Sequence, residues 1–193
     1  MKMKDKITTA FGVDKLEHKL NINFPQIHVV DLTERTQSVK GLEIYDTKPN
    51  GIDTLLIENP NLDITATFFK PQCFINERGE EPDNCEGVFY LSKPNEQSWV
   101  LFIEIKDCKS KNISKYFEKT KTQVINVVQI FRDKSIISRD KKVYANISFP
   151  RRNKKDYYNQ LIQSGEKMEF LHNHKIFIRG TNNLKIKNEQ TIY

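Results

Sequence analysis

Two apolar runs at the middle of the chain, at positions 87–91 and 99–106, limit the possible folds more than any other feature. They have the sequences GVFYL and WVLFIEIK, and both are rich in the β-branched and aromatic residues typical of strands. The seven residues between them, SKPNEQS, include Pro94-Asn95, which is a turn signal. The pattern therefore predicts a hairpin near the middle of a β-sheet.

The flanking sequence predicts helices and further strands. Residues 113–132 carry apolar side chains at helical spacing without Pro or Gly, which predicts a long helix. A short amphipathic helix is expected at 12–24, ended by Pro25, and a polar loop at 76–84. Strands are predicted at 27–32, 64–69, 142–149 and 175–179, a second long helix at 156–171, and either a last strand or a loose tail at 182–193.

This order of elements favours an α/β fold with a central mixed sheet flanked by helices. The length of 193 residues fits one domain spanning 1–193, and no repeat, low-complexity tract or linker interrupts it. No apolar run approaches the roughly 20 residues that cross a bilayer, and the N-terminal residues lack the continuous apolar centre of a secretory signal. We therefore expect a cytoplasmic protein that does not enter membranes.

Cysteine usage and net charge indicate the state of the thiols and the kind of partner. Cys73, Cys85 and Cys108 are odd in number and form no CxxC pair, which predicts three reduced thiols and no zinc site. The formal net charge of +6 favours acidic partners such as a phosphate backbone.

Two charged residues end the second central strand. In a strand, side chains two positions apart lie on one face, so Glu104 and Lys106 are expected to point the same way. Because burying a charge without a partner costs several kcal/mol, a buried-type strand that ends in these residues calls for an explanation. One is a structural ion pair at the sheet edge. The other is a second carboxylate from the neighbouring strand, which would complete an oxygen site for magnesium or manganese.

The stretch from Glu86 through an apolar strand and a turn to Phe102-Ile103-Glu104-Ile105-Lys106 resembles the core of the PD-(D/E)xK nuclease superfamily. The residues that carry the resemblance lie at about 84–132, and a nuclease-like core would extend to about 150. In that superfamily an acidic residue opens one strand and E-x-K closes the next. The resemblance implies a restriction-endonuclease-like core, Glu86 and Glu104 as ligands of Mg²⁺ or Mn²⁺, and Lys106 as the catalytic lysine.

Other residues fit the superfamily pattern by position. The helix after E-x-K often offers a Gln or Lys, which implies Gln123 as a supporting catalytic residue, with Lys119 one turn earlier. The first carboxylate is usually Asp rather than Glu, and Asp83 in Pro82-Asp83 is an alternative to Glu86. Members also often use an acid on the first helix, where Glu17 would lie.

Basic residues near this site are candidates for contacts with a nucleic-acid backbone. They are Lys109, Lys111, Lys115 and Lys119 after the strand, and Arg151 and Arg152 in a basic loop with nearby tyrosines. The triplet His172-Asn173-His174 is interpreted as a helix cap or turn, because the histidines of an HNH nuclease motif are spread over a ββα unit.

The sequence thus predicts a metal-dependent nuclease that hydrolyses phosphodiester bonds in DNA, or in RNA, and that acts in defence, restriction or repair. Such an enzyme works alone, as a homodimer or with a partner subunit. The alternative is a nuclease-fold protein that has lost catalysis and serves as a nucleic-acid-binding or protein-interaction module.

Overall fold

The fold is built on two β-sheets and a layer of helices. The computed structural model describes residues 1–32, 41–75, 79–80, 85–106, 113–151 and 162–193, with the backbone alone for 113–115. The strands are β1 (Leu16–Ile22), β2 (Gln26–Asp31), β3 (Leu42–Tyr45), β4 (Leu55–Glu58), β5 (Ile64–Phe69), β6 (Gly87–Leu91), β7 (Val100–Ile105), β8 (Val143–Ser148), β9 (Ile176–Gly180) and β10 (Asn183–Lys185). The helices are α1 (Met3–Phe11), α2 (Ile113–Asp133) and α3 (Ser164–His174).

The larger sheet has six strands in the order β1-β5-β6-β7-β8-β9. From β1 to β7 neighbouring strands are antiparallel, whereas β7, β8 and β9 run parallel. The predicted hairpin is confirmed, since β6 and β7 pair with Gly87 opposite Ile103 at the centre of this sheet. The α/β class and the mixed central sheet are therefore as the sequence predicts.

Helices cover one face of the six-stranded sheet. On α2, Phe117, Val124 and Phe131 lie on the buried side and join a core cluster with Phe102 of β7. The α2 bounds agree with the prediction for 113–132, because apolar side chains at a 3.6-residue period form one stripe that the sheet can bury. Helix α1 adds Ile7 to the same cluster.

A second sheet, in the order β10-β4-β2-β3, covers the other face. Ile27 and Val29 of β2 pack in one cluster with Leu101, Ile103 and Ile105 of β7. In the described part of the chain, helices thus flank the central sheet on one side and strands flank it on the other. The strand at 27–32 was predicted, but the partners β3 and β4 are short and separated by turn residues, so their pairing is not evident from local pattern.

The helix predicted at 12–24 is wrong. Helix α1 ends at Phe11, Gly12 adopts φ of 88°, and Leu16 to Ile22 form an edge strand paired with β5. Val13 is 69% exposed, so the helical spacing of apolar residues does not mark a buried stripe. Leu16 and Ile22 are buried instead, because pairing with β5 brings each of them against a core.

The C-terminal residues complete the second sheet. Asn183–Lys185 form β10, which runs parallel to β4, and Ile186 bridges to Ile192. The alternative of a last strand for 182–193 is confirmed. Helix α3 extends through His174, so His172, Asn173 and His174 form its last turn, and the cap is Lys175 in the left-handed conformation. The predicted start of that helix, at 156–161, lies outside the described residues.

Two further predictions concern the chain as a whole. Cys73 and Cys85 are buried and lie outside any disulfide, as expected of reduced thiols, and Cys108 lies outside the described residues. In the ranges that the structure describes, none of the helices has the length and apolarity needed to cross a membrane.

Candidate active site

Glu86 and Glu104 come together at one end of the central strands, where β6 begins and β7 ends. The β6–β7 ladder ends at Gly87 and Ile103, and the two carboxylates then accept the next backbone N–H groups. The N–H of Glu86 donates to Oε2 of Glu104 at 3.1 Å, and the N–H of Ile105 donates to Oε2 of Glu86 at 3.1 Å. Each carboxylate is therefore fixed by the strand that carries the other.

Neighbouring strands anchor the same residues from outside. The N–H of Phe69 on β5 donates to the carbonyl of Glu86 at 3.0 Å, and the N–H of Lys106 donates to the carbonyl of Ser148 on β8 at 2.9 Å. Gly87 is required for the close packing of β6 against β5, because a Cβ there would lie 2.7 Å from Cδ1 of Phe68. The sequence thus places rigid strand ends, rather than loops, around the carboxylates.

Lys106 lies between the two carboxylates. Its Nζ is 3.0 Å from Oε1 of Glu86 and 2.9 Å from Oε1 of Glu104. The side chain of Glu104 is 0% exposed, whereas those of Glu86 and Lys106 are 23% and 27% exposed. The fully buried carboxylate therefore forms the floor of the cluster, and the other two groups face its opening.

The packing of the cluster shifts the pKa of all three groups. Burial, followed by repulsion from Glu86, raises the pKa of Glu104 to about 8, against the attraction of Lys106. Burial also raises the pKa of Glu86 to about 7, although Lys106 opposes the rise. Burial lowers the pKa of Lys106, but the two carboxylates outweigh it and leave that pKa above its ordinary value. Once both carboxyls have lost their protons, one ammonium does not compensate them, so the ionised site favours an additional positive charge.

Asp31 is a residue that the sequence reasoning missed. It ends β2 and is buried, and its negative charge contributes to the raised pKa of Glu86. The signal was present in the sequence, because Asp31 ends an apolar β-branched strand much as Glu104 does. What the sequence does not show is that β2, in the second sheet, brings this charge close to β6.

Gln123 is buried on α2 rather than exposed. It is 7% exposed and lies beside Val124 in the part of the helix that faces the sheet. Lys119, one turn earlier, is exposed, so the two residues do not share an environment. The burial of Gln123 is compatible with a supporting role, which stays a prediction.

Of the remaining predicted site residues, some lie in the described part of the structure and others do not. Glu17 lies on β1 instead of a helix, and its carboxylate forms an ion pair with Lys19 at 2.6 Å. Arg151 is exposed in the turn after β8, at the same sheet edge as the cluster. Outside the described residues lie Asp83, Lys109, Lys111 and Arg152, and the side chain of Lys115.

Cys85, next to Glu86, does not supply a nucleophile. It is fully buried, and burial followed by the negative charge of Glu104 raises the pKa of its thiol well above the ordinary value. Because the thiolate is the reactive form, a protonated buried thiol is inert.

The donor set fits a hard divalent cation. Across the described ranges, no three Asp, Glu, His or Cys side chains form a complete metal cage. Magnesium, however, is commonly held by one or two carboxylates with water and substrate phosphate as the other ligands. Glu86 and Glu104 offer two carboxylate oxygens around a point that already attracts one cation, Lys106.

Comparisons with known proteins add no identification, since no family model, no curated protein and no solved structure matches the chain. The class that fold and site define is therefore an α/β protein with a buried carboxylate and lysine cluster at its sheet edge. The superfamily resemblance stays a prediction from the sequence.

Proposed function

We propose that Glu86, Glu104 and Lys106 form the active site of a Mg²⁺- or Mn²⁺-dependent nuclease that hydrolyses phosphodiester bonds in DNA. The observation that carries the proposal is the convergence of two carboxyl groups on one ammonium, within 3.0 Å of it, at the end of two central strands. A structural ion pair needs one carboxylate, whereas this cluster keeps two, at a cost in stability. Their arrangement, with Glu86 before β6 and Glu-Ile-Lys closing β7, is also the pattern for which the sequence resembles the PD-(D/E)xK superfamily.

Each side chain has a definite task in this proposal. The carboxylates of Glu86 and Glu104 would hold the cation, and the backbone N–H groups that bond their Oε2 atoms would keep both side chains in place. A bound ion would supply positive charge that stabilises the phosphate as its bond to oxygen breaks. Lys106 keeps its proton at neutral pH, because its pKa is raised, so its ammonium acts as a charge on the phosphate rather than as a base.

The protonation of the carboxylates sets the working pH. With pKa values of about 7 and about 8, both groups are partly neutral at pH 7 and ionised above pH 8. Cation binding needs the ionised forms, so affinity for the metal is expected to rise with pH through this range.

A second candidate function follows from the position of Lys106. Its ammonium already bridges both Oε1 atoms, so the cluster also suits a protein that keeps the fold without hydrolysis and binds nucleic acid or protein. Salt-sensitive DNA binding without metal-dependent cutting would favour this candidate. In either case we place the protein in the cytoplasm, with DNA as the first partner to test and RNA as the second.

Incubation with plasmid, linear and single-stranded DNA and with RNA tests the proposal. Each substrate is followed with Mg²⁺, with Mn²⁺ and with EDTA at pH 8. The proposal expects cleavage of at least one substrate with metal and none with EDTA. Cleavage that persists in EDTA, or cleavage by Glu104→Gln at the wild-type rate, would contradict it.

A further inference from the structure

A groove of about 600 Å³ lies between α3 and the edge strand β9. Phe177 and Met168 contribute apolar surface to it, and Met168 is 66% exposed. Lys167 and Arg179 contribute cations from the two sides, one from the helix and one from the strand. The groove is of the size that accommodates a small ligand or a short length of an extended strand.

The charge of the groove is of one sign. Among the described residues that line it there is no Asp or Glu, and neither Lys167 nor Arg179 forms an ion pair with an Asp or Glu side chain of the described ranges. Uncompensated cations that face each other across a groove complement a polyanion. The occupant that this charge selects is therefore negatively charged along its length.

Tyr193 supplies a flat surface at the same place. The residue is 51% exposed and lines the groove. Its ring centre lies 6.0 Å from Cζ of Arg179 and 5.5 Å from Nζ of Lys187, and its hydroxyl accepts a hydrogen bond from Nζ of Lys187 at 3.1 Å. An exposed ring beside cations is typical of surfaces on which unpaired bases stack while phosphates contact the charges.

The groove ends near the carboxylate cluster. Gly180, which lines it, pairs with Ile147 of β8, and Ile147 pairs with Glu104 of β7. Gly180 and Glu104 thus lie in one row across three strands, and adjacent strands are separated by about 4.8 Å, which puts their backbones about 10 Å apart. A strand that leaves the groove at Gly180 reaches the sheet edge where the cluster lies.

We infer that the α3–β9 groove binds single-stranded nucleic acid, with phosphates on Lys167 and Arg179 and a base stacked on Tyr193. The inference rests on the proposed function, because it names the form of nucleic acid that the cluster acts on. It also predicts that a duplex must open, or end, before its strand can occupy the groove.

Fluorescence anisotropy of a labelled oligothymidine in EDTA tests the groove without hydrolysis. We expect the Lys167→Ala/Arg179→Ala variant to bind about ten-fold more weakly and the slope of log affinity against log salt to fall by about 1.4, or roughly 0.7 for each lost phosphate contact. The matched control, Lys93→Ala/Arg139→Ala, removes the same charges from exposed positions at the opposite sheet edge and should change affinity less than two-fold. Circular dichroism of each variant verifies folding.

Tyr193 provides a test that does not depend on charge. Tyr193→Leu should weaken binding at every salt concentration while leaving the slope unchanged, and Tyr193→Phe, which keeps the ring, should retain wild-type affinity. An equal loss in the groove and control variants, the absence of oligothymidine binding, or equal affinity for a blunt hairpin duplex would overturn the inference.

The possible outcomes distinguish a failure of the groove inference from a failure of the nuclease proposal. Binding that depends on the groove, without cleavage in Mg²⁺ or Mn²⁺, would support the groove and remove the nuclease proposal. Metal-dependent cleavage with unchanged binding in the Lys167→Ala/Arg179→Ala variant would overturn the groove and leave the nuclease proposal standing.

Discussion

Replacing Glu104 with Gln is expected to stabilise the protein above neutral pH, although the change removes one partner of an ion pair. The fold raises the pKa of this carboxyl from its usual 4.5 to about 8, chiefly through burial. A carboxyl with a raised pKa contributes stability below pH 4.5, and that contribution is lost as pH rises towards 8. The wild-type protein should therefore lose stability between these two pH values.

The magnitude follows from the same rise in pKa. At about 1.4 kcal/mol for each pH unit, the full cost of ionising buried Glu104 is about 5 kcal/mol. The carboxylate contacts Lys106 through Oε1 and the N–H of Glu86 through Oε2, whereas a Gln amide has one acceptor oxygen and loses one of these two partners, which offsets roughly 2 kcal/mol. We expect a net gain in the free energy of unfolding of about 3 kcal/mol at pH 8.5 and no gain at pH 5.

Urea denaturation in EDTA, followed by the fluorescence of the single tryptophan, Trp99, measures this difference across pH 5 to 9. Glu118→Gln is the matched control, because its side chain is 75% exposed and also pairs with a lysine, Lys121. That control should stay within about 0.5 kcal/mol of wild type. A Glu104→Gln protein less stable than wild type at pH 8.5 would show that Glu104 serves the fold as an ion pair and would refute the reasoning.

Three further perturbations have expected outcomes. Mn²⁺ should raise the melting temperature more at pH 8 than at pH 6, because the carboxylates must lose protons to bind it, and Glu86→Gln should remove the effect; equal rises at both pH values would contradict the site. Thr67→Val should cost about 1–3 kcal/mol of unfolding free energy by urea titration, because the Thr67 hydroxyl bonds His18 at 2.8 Å and Tyr90 at 3.0 Å; an unchanged midpoint would show that neither bond matters. Phe131→Ala should cost about 3–5 kcal/mol, since its buried ring contacts that of Phe102 at 5.1 Å between centroids, and a loss below 1 kcal/mol would mean that the core closes over the cavity.

The elements that local pattern predicts well are those whose burial is decided within the element. Strands β5, β6 and β7 are rich in β-branched and aromatic residues, and α2 has a complete apolar stripe, so their positions follow from the sequence alone. The secondary structure of these elements does not depend on which neighbouring element covers them.

The failures are elements whose structure depends on distant partners. Leu16 is buried because β1 pairs with β5, about fifty residues later in the chain. The spacing of apolar residues within 12–24 does not indicate this pairing. The second sheet is similar, since β4 pairs with β10 from the end of the chain. Propensity and periodicity describe single elements, and long-range pairing overrides them.

In the candidate site, too, local sequence predicts some residues, whereas others depend on distant parts of the chain. The sequence predicts that Glu104 and Lys106 share one face of a strand, and the structure brings both beside Glu86. Asp31 was missed, because its strand belongs to the other sheet and only the packing of the two sheets brings its charge near Glu86. Gln123 was placed on the correct helix, but its burial depends on what α2 packs against.

The most direct test of the central claim is the rate at which Lys106→Ala cleaves, with Mn²⁺ at pH 8, the substrate that the wild-type protein cleaves. Lys141→Ala is the matched control, since its Nζ also bonds a protein oxygen, the Glu96 carbonyl at 2.8 Å, at the opposite edge of the sheet. We predict that Lys106→Ala loses at least about a hundred-fold in rate while Lys141→Ala retains wild-type activity. Equal activity of all three proteins would contradict the assignment of the cluster as the catalytic centre.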